Sequence, residues 1–335
     1  MRDVASKAGV SFQTVGKVLN GKGSVSPETR ERILGAAEDL GYVPNALARS
    51  LVTRSTCTIG IVASDLSDAE LARFVVGAER EARRQGHGVL IGSIDRKGTD
   101  AERYLRMLLE RRVDGILTAA PQMERDGRIG ELLRGTVPAV SIHRVPGGGV
   151  SLVGSDHVET ALLATRHLLG LGHRRIATIT GSGGRQVTSM RLKGYERALK
   201  EAGVPYEGGL VESGDWEADG AYEAVLRLLD RAPDITAFYA QNDTMALGVL
   251  SALHERGFGV PEDGAVVGCD DIPMAAHAIP PLTTVHVPFF ETGETAVRLL
   301  LDIIAGRTEK PRRVLLPVHL VRRASCGAGV LTREE

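Results

Sequence analysis

Residues 3–20, DVASKAGVSFQTVGKVLN, decide how the rest of the chain is read. The stretch reads as two short helices joined by a tight turn. The first helix is expected over residues 3–8. Gly9 stands where the turn needs a residue that tolerates positive φ. Ser11 is placed to cap the second helix, with its hydroxyl available to a free backbone N–H. On a helical wheel, Val15, Val18 and Leu19 share one face, and Gln13, Lys17 and Asn20 share the opposite one. Val4, Ala5, Ala8 and Val10 can pack against the first face, and the small alanines let the two helices come close. What remains outward is amide, amine and amide, the chemistry that reads base edges and phosphates in a major groove. An ordinary helical hairpin with a solvated face has the same pattern, so the flanking residues have to decide.

They extend the pattern. Ser26 is placed as the cap of a third helix, Pro27 as its first residue, and Glu28 complements the dipole in the first turn. Ile33, Ala36, Ala37 and Leu40 give that helix an apolar stripe, and Gly41 ends it. Three short helices make one small core. Met1 leaves little room for an N-cap before Asp3, so this end is expected to fray or to have a longer natural start. The stretch YVPNALARSL, residues 42–51, follows. Pro44 breaks the chain, and Asn45 can cap two further helical turns, too few to be stable alone in water. The segment reads as a plain linker or as a hinge that becomes helical on DNA. In the second reading Leu51 wedges between minor-groove bases and Arg49 lies near phosphate or groove.

Charge and composition narrow the classes. Residues 1–55 carry eight Lys/Arg against five Asp/Glu, a net of +3, which leaves −4 for the remainder of a chain whose net charge is −1. A mildly basic head on an acidic body fits phosphate contact confined to one end. The chain of 335 residues suits a small module plus a larger two-lobed unit. Cys57, Cys269 and Cys326 are isolated and show no CxxC spacing, which argues for a reducing compartment and against a disulfide framework or a zinc site. No long apolar run reads as a signal peptide or a membrane span, so a cytoplasmic protein without a membrane partner is expected.

Beyond residue 57, apolar runs at 58–63, 89–94, 113–119, 137–142 and 150–154 read as buried strands. Helical stretches such as 70–84 and 101–112 lie between them. The pattern repeats with strands at 176–180, 210–213, 235–240 and 265–269, separated by helices at 158–169, 189–202, 220–229 and 244–255. Two successive βαβ series predict two doubly wound parallel sheets, with ligands at strand carboxyl ends and in the cleft between lobes.

The sequence resembles the LacI-type (lac repressor/GalR) transcriptional regulators. The head carries the likeness in DVASKAGVSFQTVGKVLN, VSPETRERI, GYVPNALARSL and TIGIV; the body carries it in LGHRRIATITG, RLKGYERAL, AQNDTMALGVLSAL, VVGCDD and IPPLTTV. It runs over nearly the full chain. The resemblance implies a three-helix helix–turn–helix domain at residues 1–43, a hinge at 44–55, and a two-lobed periplasmic-binding-protein-like core at 56–335. It further implies three crossings between lobes, with the first lobe at about 56–156 and 289–311 and the second at about 157–288 and 312–326. A homodimer is the expected state, because no long terminal heptad segment follows Arg323.

The resemblance also assigns roles. Phe12, Gln13 and Lys17 fall at base-contacting positions; with Ser11, Thr14, Asn20, Asn45, Arg49 and Leu51 they make up the expected DNA-binding set. Relatives usually carry Ser and Arg where this chain has Gly16 and Lys17. Gly16 removes a hydroxyl and costs about 1 kcal/mol of helix propensity, and Lys17 offers a point donor in place of a bidentate fork, so a different half-site is expected. For the small molecule, Arg191 matches the RLxG position and can donate a planar fork to adjacent hydroxyls or a carboxylate. Asn242 and Asp270 follow strands and can orient hydroxyls. Asp243 reads as a helix N-cap, with Asp271 similar. Trp216 and Phe289 are candidate flat platforms for a sugar or other ring, with core packing the alternative for Phe289. Ser64, Asp68 and Glu159 complete the expected ligand set, with Asp156 beside them. Residues 68–71, Asp-Ala-Glu-Leu, stand where relatives carry an Asn-Pro-Phe-Phe-like stretch; the exchange removes aromatics and adds acid, and reads either as a more polar or partly cationic ligand face or as a solvated loop.

Residues 181–184, Gly-Ser-Gly-Gly, lack the Lys of a P-loop and read as a cleft-edge loop. The nine histidines are scattered, and no catalytic constellation, metal site or cofactor motif stands out. The expected function is a repressor of sugar uptake or catabolism genes, released from double-stranded operator DNA by a small-molecule effector, a sugar. Corepressor dependence, a stand-alone sugar-binding protein of the transport type, and an enzyme on this fold are the alternatives. The head and the hinge speak against the transport protein, and the missing acid/base motif against the enzyme.

Overall fold

The computed structural model describes residues 1–19, 25–43, 55–95, 98–133, 137–308 and 311–327. The chain divides into two compact units, Met1–Cys57 and Thr58–Glu335.

The first unit is built from α1 (Arg2–Ala8), α2 (Phe12–Leu19) and α3 (Pro27–Asp39). Gly9 ends α1 in the left-handed region at φ 62°, where a Cβ would be strained. Ser11 Oγ accepts the Thr14 N–H at 3.1 Å, and Ser26 Oγ accepts the Thr29 N–H at 3.3 Å, so both expected caps form. Val4, Ala5, Ala8, Val15, Val18, Ile33, Ala36 and Ala37 make the buried core. Each fully buried valine or isoleucine stabilises it by about 1.5–3 kcal/mol. Arg32 Nε donates to the Ala8 carbonyl at 3.0 Å and holds α3 against the end of α1. Asn20, and the hinge positions Asn45, Arg49 and Leu51, lie outside the described residues.

The second unit contains the two lobes. The first lobe is a parallel sheet of β1 (Thr58–Ala63), β2 (Gly88–Ser93), β3 (Gly115–Ala119), β4 (Ala139–Ser141), β5 (Ser151–Ser155) and β11 (Arg313–Leu316), in the order β11-β5-β4-β3-β1-β2. Strand alternation sends Ile59, Ile61 and Ala63 to a face shared with Phe74 and Ala78 of α4 (Ala69–Arg84) and Val297 and Leu300 of α11 (Phe289–Ile304). Val62 and Ile116 face Leu105 and Leu108 of α5 (Ala101–Glu110) and Ile129 of α6 (Gly127–Leu133).

The second lobe has a parallel sheet of β6 (Ile176–Thr180), β7 (Val211–Ser213), β8 (Ala237–Ala240) and β9 (Ala265–Val267), in the order β7-β6-β8-β9. Ala237 and Tyr239 pack toward α7 (His157–Gly170) and α8 (Gln186–Glu201). Phe238 and Ala240 pack toward α9 (Ala218–Arg231) and α10 (Asp243–Glu255). A small antiparallel pair, β10 (Thr284–His286) with β12 (His319–Val321), flanks this sheet. Both sheets thus have helices on both faces, as the two βαβ series require.

The third crossing differs from expectation. Residues 312–316 were assigned to the second lobe, but Arg313–Leu316 pairs in parallel with β5 and completes the first sheet. The chain crosses only after Leu316, and β12 with the residues that follow it returns to the second lobe. An isolated apolar strand has no mark of which sheet edge it will join; the backbone hydrogen bonds offered by β5 decide it.

Candidate effector cavity and DNA-reading face

Both sheets reverse their strand order next to their first strand, between β1 and β3 in one lobe and between β6 and β8 in the other. Loops leaving strand carboxyl ends diverge at such points and leave a crevice. Here the two crevices share a cavity of about 510 Å³ between the lobes, within the range of sites for small molecules. Ser64, Asp68, Arg191, Trp216, Asn242, Asp270 and Phe289 all line it. Seven of the eight expected ligand positions, drawn from a span of more than 200 residues, therefore converge.

Glu159 is the exception, as it is not among the lining residues. Asp156 caps α7 by accepting the N–H groups of Val158 and Glu159 at 2.9 and 3.3 Å. The cap fixes the first turn so that His157 faces the cavity. Glu159, two residues and about 200° further round the helix, points away.

Arg191 and Asp270 form the anchor. Arg191 is 2% exposed, and its Nη2 donates to Asp270 Oδ1 at 2.8 Å; it also donates to the Gln241 carbonyl. Burial pushes the Asp270 carboxyl up, and the Arg191 guanidinium opposes that push. Arg191 Nε is buried without a partner, a donor available to a ligand. The ion pair needs this mutual support, because either charge alone would be buried unpaired.

Trp216 supplies a flat wall. Its indole lies over Gly181, where any Cβ would overlap the ring; this is what the glycine-rich loop provides. The Arg191 and Arg185 guanidinium groups stack at 5.8 and 5.9 Å from the ring centroid. Trp216 has φ 71° and Asp270 φ 110°, both in the left-handed half of backbone space. Non-glycine residues are held there only where surroundings over-determine them, and both of these border the cavity. Phe289 opens α11 and packs with the apolar clusters of both lobes.

Two carboxylates and an amide trade expected roles. Asn242, not Asp243, caps α10: its Oδ1 accepts the Met245 N–H at 2.8 Å. Its Nδ2 donates to the Trp216 carbonyl at 3.3 Å, so it also positions the tryptophan. Asp243 is instead buried and accepts the Ile272 N–H at 2.9 Å and the Thr284 hydroxyl at 2.5 Å. Asp271 accepts from Arg323 at 2.7 Å and from His286 at 3.1 Å, tying the chain's last crossing to the β9 end. The one-residue offset of the cap arises because Gln241 turns inward, accepting the Gly181 N–H and donating to the Thr188 carbonyl.

The cavity also holds Glu70, from the acidic stretch at 68–71, and His143, His157, Arg185 and Met274, which no sequence pattern marked. His143 and His157 come from the ends of different strands and carry no spacing signal. Burial first, and then the Arg191 charge, keeps His157 neutral. At the rim of the same cleft two hydrogen bonds join the lobes. The Gln186 N–H donates to Glu124 Oε2 at 3.0 Å, and Arg73 Nη1 donates to the Asp271 carbonyl at 3.3 Å.

In the first unit, Ser11, Phe12, Gln13 and Lys17 are exposed and Thr14 is half-buried, and Gln13 and Lys17 lie on the face of α2 opposite Val15 and Val18. Phe12 is 50% exposed, unusual for an aromatic without a partner surface. Gly16 has open space beyond its Cα.

Comparison with known proteins agrees with this architecture. Residues 1–45 match the model of bacterial regulatory proteins of the lacI family, and residues 165–326 match the periplasmic binding protein-like domain. The chain is 40% identical to the HTH-type transcriptional regulator CelR of Thermobifida fusca, covering 96% of each. The solved CelR–cellobiose complex superposes with a TM-score of 0.76 at 39% identity, covering 96% of this chain and 98% of the other. The lac repressor dimer bound to operator and the anti-inducer ONPF superposes with a TM-score of 0.87 at 32% identity, covering 96% and 97%. A helix–turn–helix unit joined to a two-lobed ligand-binding core defines a DNA-binding transcriptional regulator. The chain belongs to the lacI family of bacterial regulatory proteins. Among the described residues no helix is long and apolar enough to cross a membrane.

Proposed function

We propose that this protein is a repressor that binds a near-palindromic operator as a homodimer and is released by a sugar-class effector held between its lobes. The observation that carries the reading is the pairing, in one chain, of an exposed Gln13/Lys17 face with an inter-lobe cleft built on Arg191 and Asp270. A planar guanidinium, a carboxylate, an amide and a flat indole are the groups that orient vicinal hydroxyls and cover a sugar ring. Relatives named for cellobiose complexes and for the ribose operon support a carbohydrate ligand.

Ligand and operator compete through conformation. A ligand that touches both lobes changes the balance between their open and closed arrangements, and the Glu124–Gln186 and Arg73–Asp271 contacts are the polar links it acts against or reinforces. By linkage, the factor by which effector weakens operator binding equals the factor by which operator weakens effector binding. The protein works in the cytoplasm, where DNA is, and performs no catalysis; the cleft residues bind and orient. The test is selection of bound fragments from source genomic DNA by the full chain at fixed salt, without ligand. Recovery of a few palindromic sites beside sugar-utilisation genes supports the reading; no enrichment with or without added sugars contradicts it.

A further inference from the structure

Residues 64–71 leave β1 and enter α4, bringing Ser64, Ser67, Asp68 and Glu70 to the cavity. No aromatic side chain occurs in this stretch. Glu70 Oε1 is buried there and accepts no hydrogen bond from the protein. A buried carboxylate oxygen without a donor is unfavourable, and more so if charged.

The cations of the cavity wall are engaged elsewhere. Arg191 is committed to Asp270 and the Gln241 carbonyl, and Arg185 lies over Trp216. His157 is neutral. Asp270 faces Glu70 from the second lobe and Asp68 from its own element. Glu217 and His143 complete the titratable groups of the wall. Burial, then the like charge of Asp270, and more weakly that of Asp68, pushes the Glu70 carboxyl up to about 7, with its own backbone N–H and then Arg191 opposing. A sugar hydroxyl would satisfy Oε1 as a donor. A cation would, in addition, offset the repulsion from the two aspartates.

We propose that the effector is an amine-bearing carbohydrate whose ammonium group pairs with Glu70. This rests on the cleft being the effector site. It names the chemistry of one ligand substituent and makes Glu70 the residue that selects it.

The test is calorimetric titration of the full chain with two disaccharides of the same skeleton. One is cellobiose; the other is the β-1,4-linked disaccharide of glucosamine, which carries an ammonium in place of each 2-hydroxyl. The wild type is expected to bind the amine about tenfold or more tightly than cellobiose, the scale of a partly desolvated ion pair. Glu70→Gln, which keeps size and hydrogen bonding, is expected to lose that preference while still binding cellobiose, which shows that the variant is folded. At about pH 6, below the Glu70 value of about 7, binding of the amine to the wild type releases a proton and binding to Glu70→Gln does not. Equal affinities in the wild type, or a preference that survives Glu70→Gln, overturn the amine proposal and leave the cleft as an effector site. Failure of both sugars to bind overturns the carbohydrate reading and this inference with it.

Discussion

Arg191 of the second lobe's helix α8 and Asp270 at the end of β9 form a buried ion pair of 2.8 Å at the floor of the cleft. The two residues are 79 apart in sequence, and each is the other's main source of compensation for burial. The pair therefore holds the site's shape before any ligand arrives.

Removing one member leaves the other uncompensated. Arg191→Ala is expected to destabilise the core by about 3–5 kcal/mol and to abolish effector binding. Denaturant unfolding gives the first quantity and calorimetric titration the second. An unchanged midpoint would mean that the pair is not buried as described.

Trp216 is the chain's only tryptophan, and it lines the cavity. Intrinsic fluorescence therefore reports ligand in the cleft directly. Trp216→Ala is expected to weaken effector binding by about 1–2 kcal/mol, the scale of a lost aromatic contact, and Trp216→Phe to retain most of the affinity. A saturating ligand that left the emission unaltered would place the binding site elsewhere.

Asp271 links acid stability to the last crossing. Burial raises its carboxyl, but the hydrogen bonds from Arg323 and His286 outweigh this and hold it below the usual range. With the folded value depressed, its contribution is fully present above the unfolded value of about 3.9 and is lost as pH falls through the folded value. Asp271→Asn is expected to lower stability by about 2 kcal/mol near neutrality, with the difference from wild type shrinking in acid. Thermal unfolding at neutral pH and at about pH 3 checks it; a constant difference would contradict the linkage.

The head offers two separable changes. Gly16 lies within α2 with open space at its Cβ position, so Gly16→Ala is expected to stabilise the first unit by about 1 kcal/mol. Lys17→Ala is expected to weaken operator binding and to reduce the slope of log affinity against log salt by about 1 if the lysine meets phosphate. A loss confined to one base position, with the salt slope kept, would instead make Lys17 a base reader.

Much of this was legible from sequence because it is written in local patterns. Val15 and Val18 repeat at helical spacing, Ser11 and Ser26 stand at caps, and the central strands β1, β3 and β8 are continuous apolar or near-apolar runs. The cavity-lining positions were legible where a residue follows a strand, as Asn242 and Asp270 do. What was not legible depends on partners far along the chain. Asp243 and Asn242 are both good caps by type, and Thr284 and Ile272 decide between them. Residues 313–316 could extend either lobe until β5 offers its edge. Glu159 and His157 share one helical turn, and only the Asp156 cap fixes which of them faces the cavity. The acid added by residues 68–71 was legible in the sequence; that Glu70 Oε1 is buried without a hydrogen-bond donor is visible only when both lobes are in place.

The central claim is that ligand in the cleft governs operator binding. The most direct measurement is the affinity of the full chain for its selected operator, at one fixed salt concentration, with and without saturating effector. Effector is expected to weaken binding by about 10-fold or more, within the usual range of allosteric coupling, with Arg191→Ala leaving operator affinity insensitive to it. Wild-type affinity unaltered by an effector that demonstrably fills the cleft would contradict it.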